Sequence, residues 1–373
     1  MAASKVLRRK PMLIDRRDFL KAAGAAFLSS LAPQAFADTL ATDAVFATAY
    51  QRRDGSYGAA ILSEAGKILH AVDLPDRGHD ITFDPVSGRS VVFARQPGTF
   101  FVAFRHKGDA PPMTVNSIAG RHFFGHGVFS PDGRLLYTTE NDFDNAAGMV
   151  GVYDAANGFA RVGEFPTHGV GPHELLLLAD GRTIAIANGG IETHPDFGRA
   201  KLNLPTMKPS FVLVDRFTGD LVEKHELPPE LHQLSIRHMD TDQTGAVWFG
   251  CQHEGPATEQ PALVGRAVRG KDLQLIDMEP RVLYGFRNYI GSVAANREAG
   301  TVAVTSPQGN AYAVIEAASG NVLAVESLTE VCGAAPDRAG FIVSTGTGVV
   351  VEPGGRSSRD ESYVWDNHML RIG

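Results

Sequence analysis

The chain of 373 residues sets 35 lysines and arginines against 42 aspartates and glutamates, and it holds 40 glycines, 21 prolines and two cysteines. Residues 1–37 contain seven basic and two acidic residues, so the remainder carries a formal charge of about −12. That balance argues against nucleic acid and anionic membrane surfaces as partners. The glycine and proline content, with no long amphipathic helical period, argues for many short strands joined by tight turns.

The first residues read as a targeting segment. A basic stretch (Lys5, Arg8, Arg9, Lys10) precedes the twin-arginine core Arg16-Arg17-Asp18-Phe19-Leu20-Lys21, and a modest apolar run, 22–32, follows. Ala35-Phe36-Ala37 supplies a small-x-small cleavage site, so residues 1–37 are expected to be a twin-arginine signal peptide. The apolar run falls short of the roughly 20 residues of a membrane span. Removal of the signal would leave 38–373 as a periplasmic protein exported in the folded state, with no membrane span.

After three short apolar runs (44–50, 58–62 and 68–74), one phrase returns along the chain. Its clearest copy opens on Gly125-His126, continues as a short apolar run, turns at Ser130-Pro131-Asp132-Gly133 and resumes at Leu135. That is a strand, a tight turn and a second strand. Further copies open on His79, His173 and His238, weaker ones on Ser292 and Cys332, and the chain ends on Asn367-His368-Met369-Leu370. The spacings of 47, 47, 65, 54, 40 and 36 residues centre on the length of a four-stranded propeller blade. The three N-terminal strands lack an inner strand, and the C-terminal phrase is an inner strand with nothing after it. The sequence therefore predicts an all-β, seven-bladed β-propeller as one domain, 38–373, closed by pairing the C-terminal inner strand with the N-terminal strands.

Inner strands of a propeller line its central channel, so equivalent positions form a ring at one mouth. The ring residues are His79, His126, His173, His238, His368, Ser292 and Cys332. Imidazole suits zinc, copper and iron, and a thiolate adds a softer donor. Unpartnered imidazoles facing one axis would be costly to bury, and protonated ones would repel each other. The five histidines and Cys332 are accordingly the expected ligands of a transition metal ion, iron or copper. WD-repeat propellers carry a purely structural histidine about eleven or more residues before the turn glycine, whereas here the interval is seven to nine. Loops at the same face bring Arg95, Gln96, Gln308 and an insertion, 191–209. Glu140, His253 and Glu254 are the loop residues expected to support the metal or its ligands.

The twin-arginine leader, the Gly125-to-Gly133 phrase, Gly171-Pro172-His173-Glu174, the Asn188-to-Pro195 loop and the terminal Trp365-Asp366-Asn367-His368 resemble the family designated domain of unknown function 1513. The resemblance covers essentially the whole mature chain. It implies an exported propeller, encoded beside imelysin-like periplasmic iron-uptake proteins, and by that association a part in periplasmic iron handling. The expected function is binding of a metal, iron or copper, during acquisition or handling. A metal-dependent redox enzyme and a metal-free scaffold for iron-uptake partners are the alternatives.

Overall fold

The computed structural model describes residues 45–373; the expected targeting segment, 1–37, lies outside the described residues. Twenty-eight strands, β1 to β28 in chain order, form seven antiparallel sheets of four. The inner strands are β4 (Gly78–Asp84), β8 (Arg121–Phe129), β12 (Pro172–Leu177), β16 (Leu234–Thr241), β20 (Ser292–Asn296), β24 (Val331–Asp337) and β28 (Tyr363–Arg371). Each packs on the inner strands of both neighbouring blades, β28 on β4 included, so the ring is closed. The protein is a seven-bladed β-propeller.

Closure occurs where the two ends of the described chain meet. β28 pairs with β1 (Phe46–Arg52), which continues into β2 (Tyr57–Leu62) and β3 (Ile68–Leu74), in the register Phe46 with Arg371 and Arg52 with Tyr363. The closing blade therefore has no unpaired inner edge, the feature that makes open sheets prone to association.

Burial follows strand rank within a blade. Second strands lie between blades on both faces and read as apolar runs: β13 (Thr183–Asn188) is buried throughout. Outer strands face solvent on one side, and β15 (Leu221–Glu226) has no buried residue. The blade containing β24 is the leanest, because its two outer strands, β26 (Val349–Val351) and β27 (Ser357–Arg359), have three residues each.

Turn chemistry fixes the register. In the blade of β8, Ser130 Oγ donates to Asp132 Oδ1 at 2.6 Å and the amide of Gly133 donates to the Ser130 carbonyl at 2.9 Å. Gly133 has φ +67°, and a Cβ there would strike the Asp84 carboxylate, so glycine is required. Between blades the core is aromatic and aliphatic. Trp248 is fully buried and its indole N–H donates to Asp242 Oδ2 at 2.9 Å. Replacing Trp248 by alanine would leave a cavity and an unpartnered carboxylate oxygen, a cost of about 3–5 kcal/mol for the cavity alone.

Two segments depart from the repeat. Residues 191–209 interrupt the third blade with two short 3-10 turns, Pro195–Phe197 and Leu204–Thr206. A short helix, Pro280–Gly285, lies between the blades of β16 and β20 and accounts for part of their long spacing.

Candidate metal centre

The histidines reach the axis because their strands are bulged. In β4 the pairing jumps from Gly78 with Ala94 to Ile81 with Val92, leaving His79 and Asp80 opposite one residue. The same break leaves His173 extra in β12, Arg237 extra in β16, 124–126 in β8 and 366–368 in β28. A bulge re-aims side chains that strict alternation would send to opposite faces. Asp80 and Glu174, each next to a ring histidine, consequently reach ring imidazoles of other blades. Hydroxyls of second strands brace the bulges: Thr48 donates to the His368 carbonyl at 2.6 Å, and Thr139 to those of His126 and His173 at 3.3 and 3.4 Å.

All five imidazoles are buried, and each lies against at least three of the others. Ring centroids lie 4.9 Å apart for His79 and His126, 4.9 Å for His126 and His173, 4.6 Å for His173 and His238, and 4.7 Å for His238 and His368. Gly125, at φ +103°, makes room for the His79 ring, since a Cβ would lie 2.6 Å from its Cδ2. Ligand-capable nitrogens form two sets, His79 with His126 and His173, and His126 with His238 and His368, each within 4.8 Å. An ion bonded at about 2.1 Å spans donors up to about 4.2 Å apart, so side-chain shifts of some tenths of an ångström close either set. His126 is common to both.

Carboxylates back the imidazoles. Nδ1 of His79 lies 3.1 Å from Asp366 Oδ1, and Nδ1 of His126 lies 3.1 Å from Asp80 Oδ2. Asp80 also faces His368 at 3.9 Å, and Glu174 lies 3.5 Å from His238 and 3.9 Å from His126. Such partners fix the tautomer, turn the other ring nitrogen to the centre and raise its basicity, as around metal-bound histidines. Nε2 of His126, His173 and His368 and Nδ1 of His238 are buried with no hydrogen-bond partner. Each such atom costs about 1–3 kcal/mol unless something bonds to it. The three Nε2 atoms together fit a cation, whereas Nδ1 of His238 is the atom that faces Glu174.

The electrostatics favour the neutral form, the one that binds a metal, at His79, His173, His238 and His368. Burial lowers the His79 pKa to about 4 despite the Asp366 hydrogen bond. Burial, with neighbouring imidazoles, holds His173 and His238 well below the usual range, and burial does the same for His368. Burial works to raise Asp366, but the His79 hydrogen bond and the Arg77 and Arg95 guanidiniums, at 2.7 and 3.8 Å, hold it far below. Burial and the Asp80 carboxylate push Glu174 well above.

The histidine layer separates two openings. One, a cavity of about 270 Å³, is lined by His79, His173 and His238 and by the cations Arg95, Arg199, Lys201 and Arg237. The other, of about 520 Å³, is lined by His368 with Asp80, Glu174 and Asp240.

The family described as protein of unknown function (DUF1513) matches residues 72–372. The chain belongs to this family. A comparison with curated proteins gives no match. Among solved structures, the chain is similar to a chain of Kuenenia stuttgartiensis hydrazine synthase at 13% identity, with a TM-score of 0.57, covering 82% of this chain and 90% of that one. A likeness at that identity concerns fold alone.

Several expected site residues stand elsewhere. Cys332 does not join the cluster: its thiol donates to the Trp365 carbonyl at 3.4 Å, lies 3.7 Å from Ser344 Oγ and packs with Phe46, Tyr50 and Trp365. Burial pushes that thiol up to about 12. Glu140 is fully buried inside its own blade, accepting from Thr138, Tyr153 and Arg161 at 3.1, 2.8 and 2.9 Å. His253 lies 3.2 Å from Glu259 and does not line the cavity. Glu254 reaches the mouth indirectly, pairing Arg237 at 3.3 Å and Lys201. Ser292 is buried and lines the second opening, where Asp80, Glu174 and Asp240 share the lining with Arg297 and Arg371.

The residues that back the imidazoles, Asp80, Glu174 and Asp366, are not singled out by sequence reasoning. A signal for them exists, in that each lies within two positions of a ring histidine. Alternation along a regular strand would send Asp80 and Glu174 away from the channel, and only the bulges overrule it.

Proposed function

We propose that this propeller binds a transition metal ion, iron or copper, at the histidine cluster and serves in acquisition or handling of that metal in the periplasm. The observation that carries the reading is the convergence of five buried imidazoles from five blades, with four ring nitrogens unpartnered. The nitrogen-only donor set favours iron, copper or zinc over calcium or magnesium. The twin-arginine leader in the sequence supports export in the folded state, and the resemblance supports periplasmic iron-uptake proteins as partners. Among the described residues no helix is long and apolar enough to cross a membrane.

The ring would act as an ion holder. Asp366 and Asp80 keep the Nδ1 protons of His79 and His126, and Nε2 of each ring offers its lone pair inward. Burial excludes water from the second layer, and the lowered pKa values of His79, His173, His238 and His368 spare those rings competition from protons near neutrality. A second reading, redox catalysis at the same ion, is favoured by the cavity that opens onto His79, His173 and His238 and admits a small molecule.

The test is elemental analysis of untagged protein exported in its own host, beside a variant with His79, His126 and His173 replaced by alanine. Near-stoichiometric iron or copper, lost in the variant, is the expected result. No metal in either, with folding intact, would sink the reading.

A further inference from the structure

The cavity on the open side of the histidines is built from cations. Arg95 and Arg237 come from the blades, with side chains 19% and 15% exposed, while Arg199 and Lys201 come from the insertion folded over the mouth. The insertion is tied down: Asn141 Nδ2 donates to the Thr193 carbonyl at 3.0 Å, Gln96 Nε2 to Thr193 Oγ1 at 3.0 Å, and Asn203 Nδ2 to the Gly190 carbonyl at 2.9 Å. These bonds place Arg199 and Lys201 opposite Arg95 and Arg237.

The charges at this mouth do not cancel. Lys201 and Arg237 share the one carboxylate of Glu254. Arg95 competes with Arg77 for Asp366, which is already bonded to His79. Arg199 has no carboxylate partner among the described residues, and the charges around it are mainly the like charges of Arg95, Arg77 and Arg237. Five cations thus face two carboxylates. Holding so many guanidiniums together costs Coulomb energy that an anion recovers.

We propose that this cup is a binding site for a small oxyanion-bearing ligand, carboxylate or phosphate, held by Arg95, Arg199, Lys201 and Arg237. Guanidinium forks match both groups bidentately. The volume of about 270 Å³ lies just under the range of drug-sized ligands, so the occupant is a small acid rather than a cofactor with a base or a long chain. Gln252, Gln308 and Asn367 also line the cavity and add amides that can orient its other polar groups. The site uses no histidine nitrogen and stands apart from the proposed ion, although its occupant would lie directly over the ring.

Calorimetric titration of metal-stripped and metal-loaded protein with succinate and with inorganic phosphate tests it. One saturable site per chain is expected, the tighter ligand naming the class. Binding should weaken about tenfold in Arg199→Gln and further in Arg199→Gln with Lys201→Gln, both replacements on exposed side chains. In metal-stripped protein His126→Gln, a residue outside the cup, should keep the anion affinity of the wild type, so the two readings fail separately. No saturation by either anion up to roughly 10 mM, or equal affinity in wild type and the Arg199 variants, would overturn the proposal.

Discussion

The seven inner strands divide into an arc of five and an arc of two. β28, β4, β8, β12 and β16 are consecutive around the ring, and each is bulged and presents a buried imidazole to the axis. On the remaining arc β20 is regular, with Ser292 paired directly to Thr305, and β24 is bulged but turns its thiol into the core beside Trp365. The carboxylates Asp80, Glu174 and Asp366 also belong to the five-strand arc. A bulge alone therefore does not bring an imidazole to the axis; on the five-strand arc carboxylates stand behind His79, His126, His238 and His368, and Nε2 of His126, His173 and His368 has no partner. The imidazoles are one-sided, although the fold is a closed ring.

The sharpest way to break this comparison is to remove the histidine shared by both nitrogen sets. His126→Ala should lower metal affinity by more than about 100-fold, since both sets lose a member and the Asp80 partner. Titration calorimetry reads it, with circular dichroism confirming the folded blades.

A smaller loss should follow from the carboxylates behind the ring. Asp80→Asn and Asp366→Asn keep the shape but not the charge, and each should cost about 10–100-fold in metal affinity. Asn141→Asp, a carboxylate change at a residue that anchors the insertion rather than the ring, should leave metal affinity within a few-fold.

Acid distinguishes the arcs in the metal-free protein. The folded pKa of His79, about 4, lies below the unfolded value of about 6.5, and His173, His238 and His368 shift the same way. Between those values the unfolded chain binds more protons, so stability should fall as pH drops from 6.5 towards 4. Depressed Asp80 and Asp366 add a further loss below about 4, while raised Glu174 and Asp240 act in the opposite sense. Thermal melts across that window should show a shallower decline in His238→Gln; an equal slope would contradict the assignment.

The smallest effect is expected on the two-strand arc. Cys332→Ala should leave metal affinity within about twofold and lower stability by about 1 kcal/mol through lost packing. A large loss of metal would restore the thiol to the site.

Much of this was legible in the sequence. The repeat gave the blade count, the closure and the ring histidines, because turn glycines and apolar runs recur at blade spacing whatever the tertiary detail. Arg95, Gln96 and Gln308 were placed at the mouth by the same register, and the structure puts all three on the cavity. Cys332 occupied a ring position yet points into the core, since position on a strand does not say which way a bulge turns a side chain. Glu140 looked like a loop carboxylate but extends its strand inside the blade, where Tyr153 and Arg161 satisfy it. Arg199 and Lys201 were invisible as site residues, because only the hydrogen bonds of Asn141, Gln96 and Asn203 fold the insertion over the channel.

X-ray absorption of the zinc-loaded protein tests the central claim most directly. Nitrogen donors at about 2.0–2.1 Å with imidazole outer scattering, and no sulfur at about 2.3 Å, would establish an ion held by the histidine arc. Sulfur in the coordination sphere, or oxygen donors without imidazole, would contradict it.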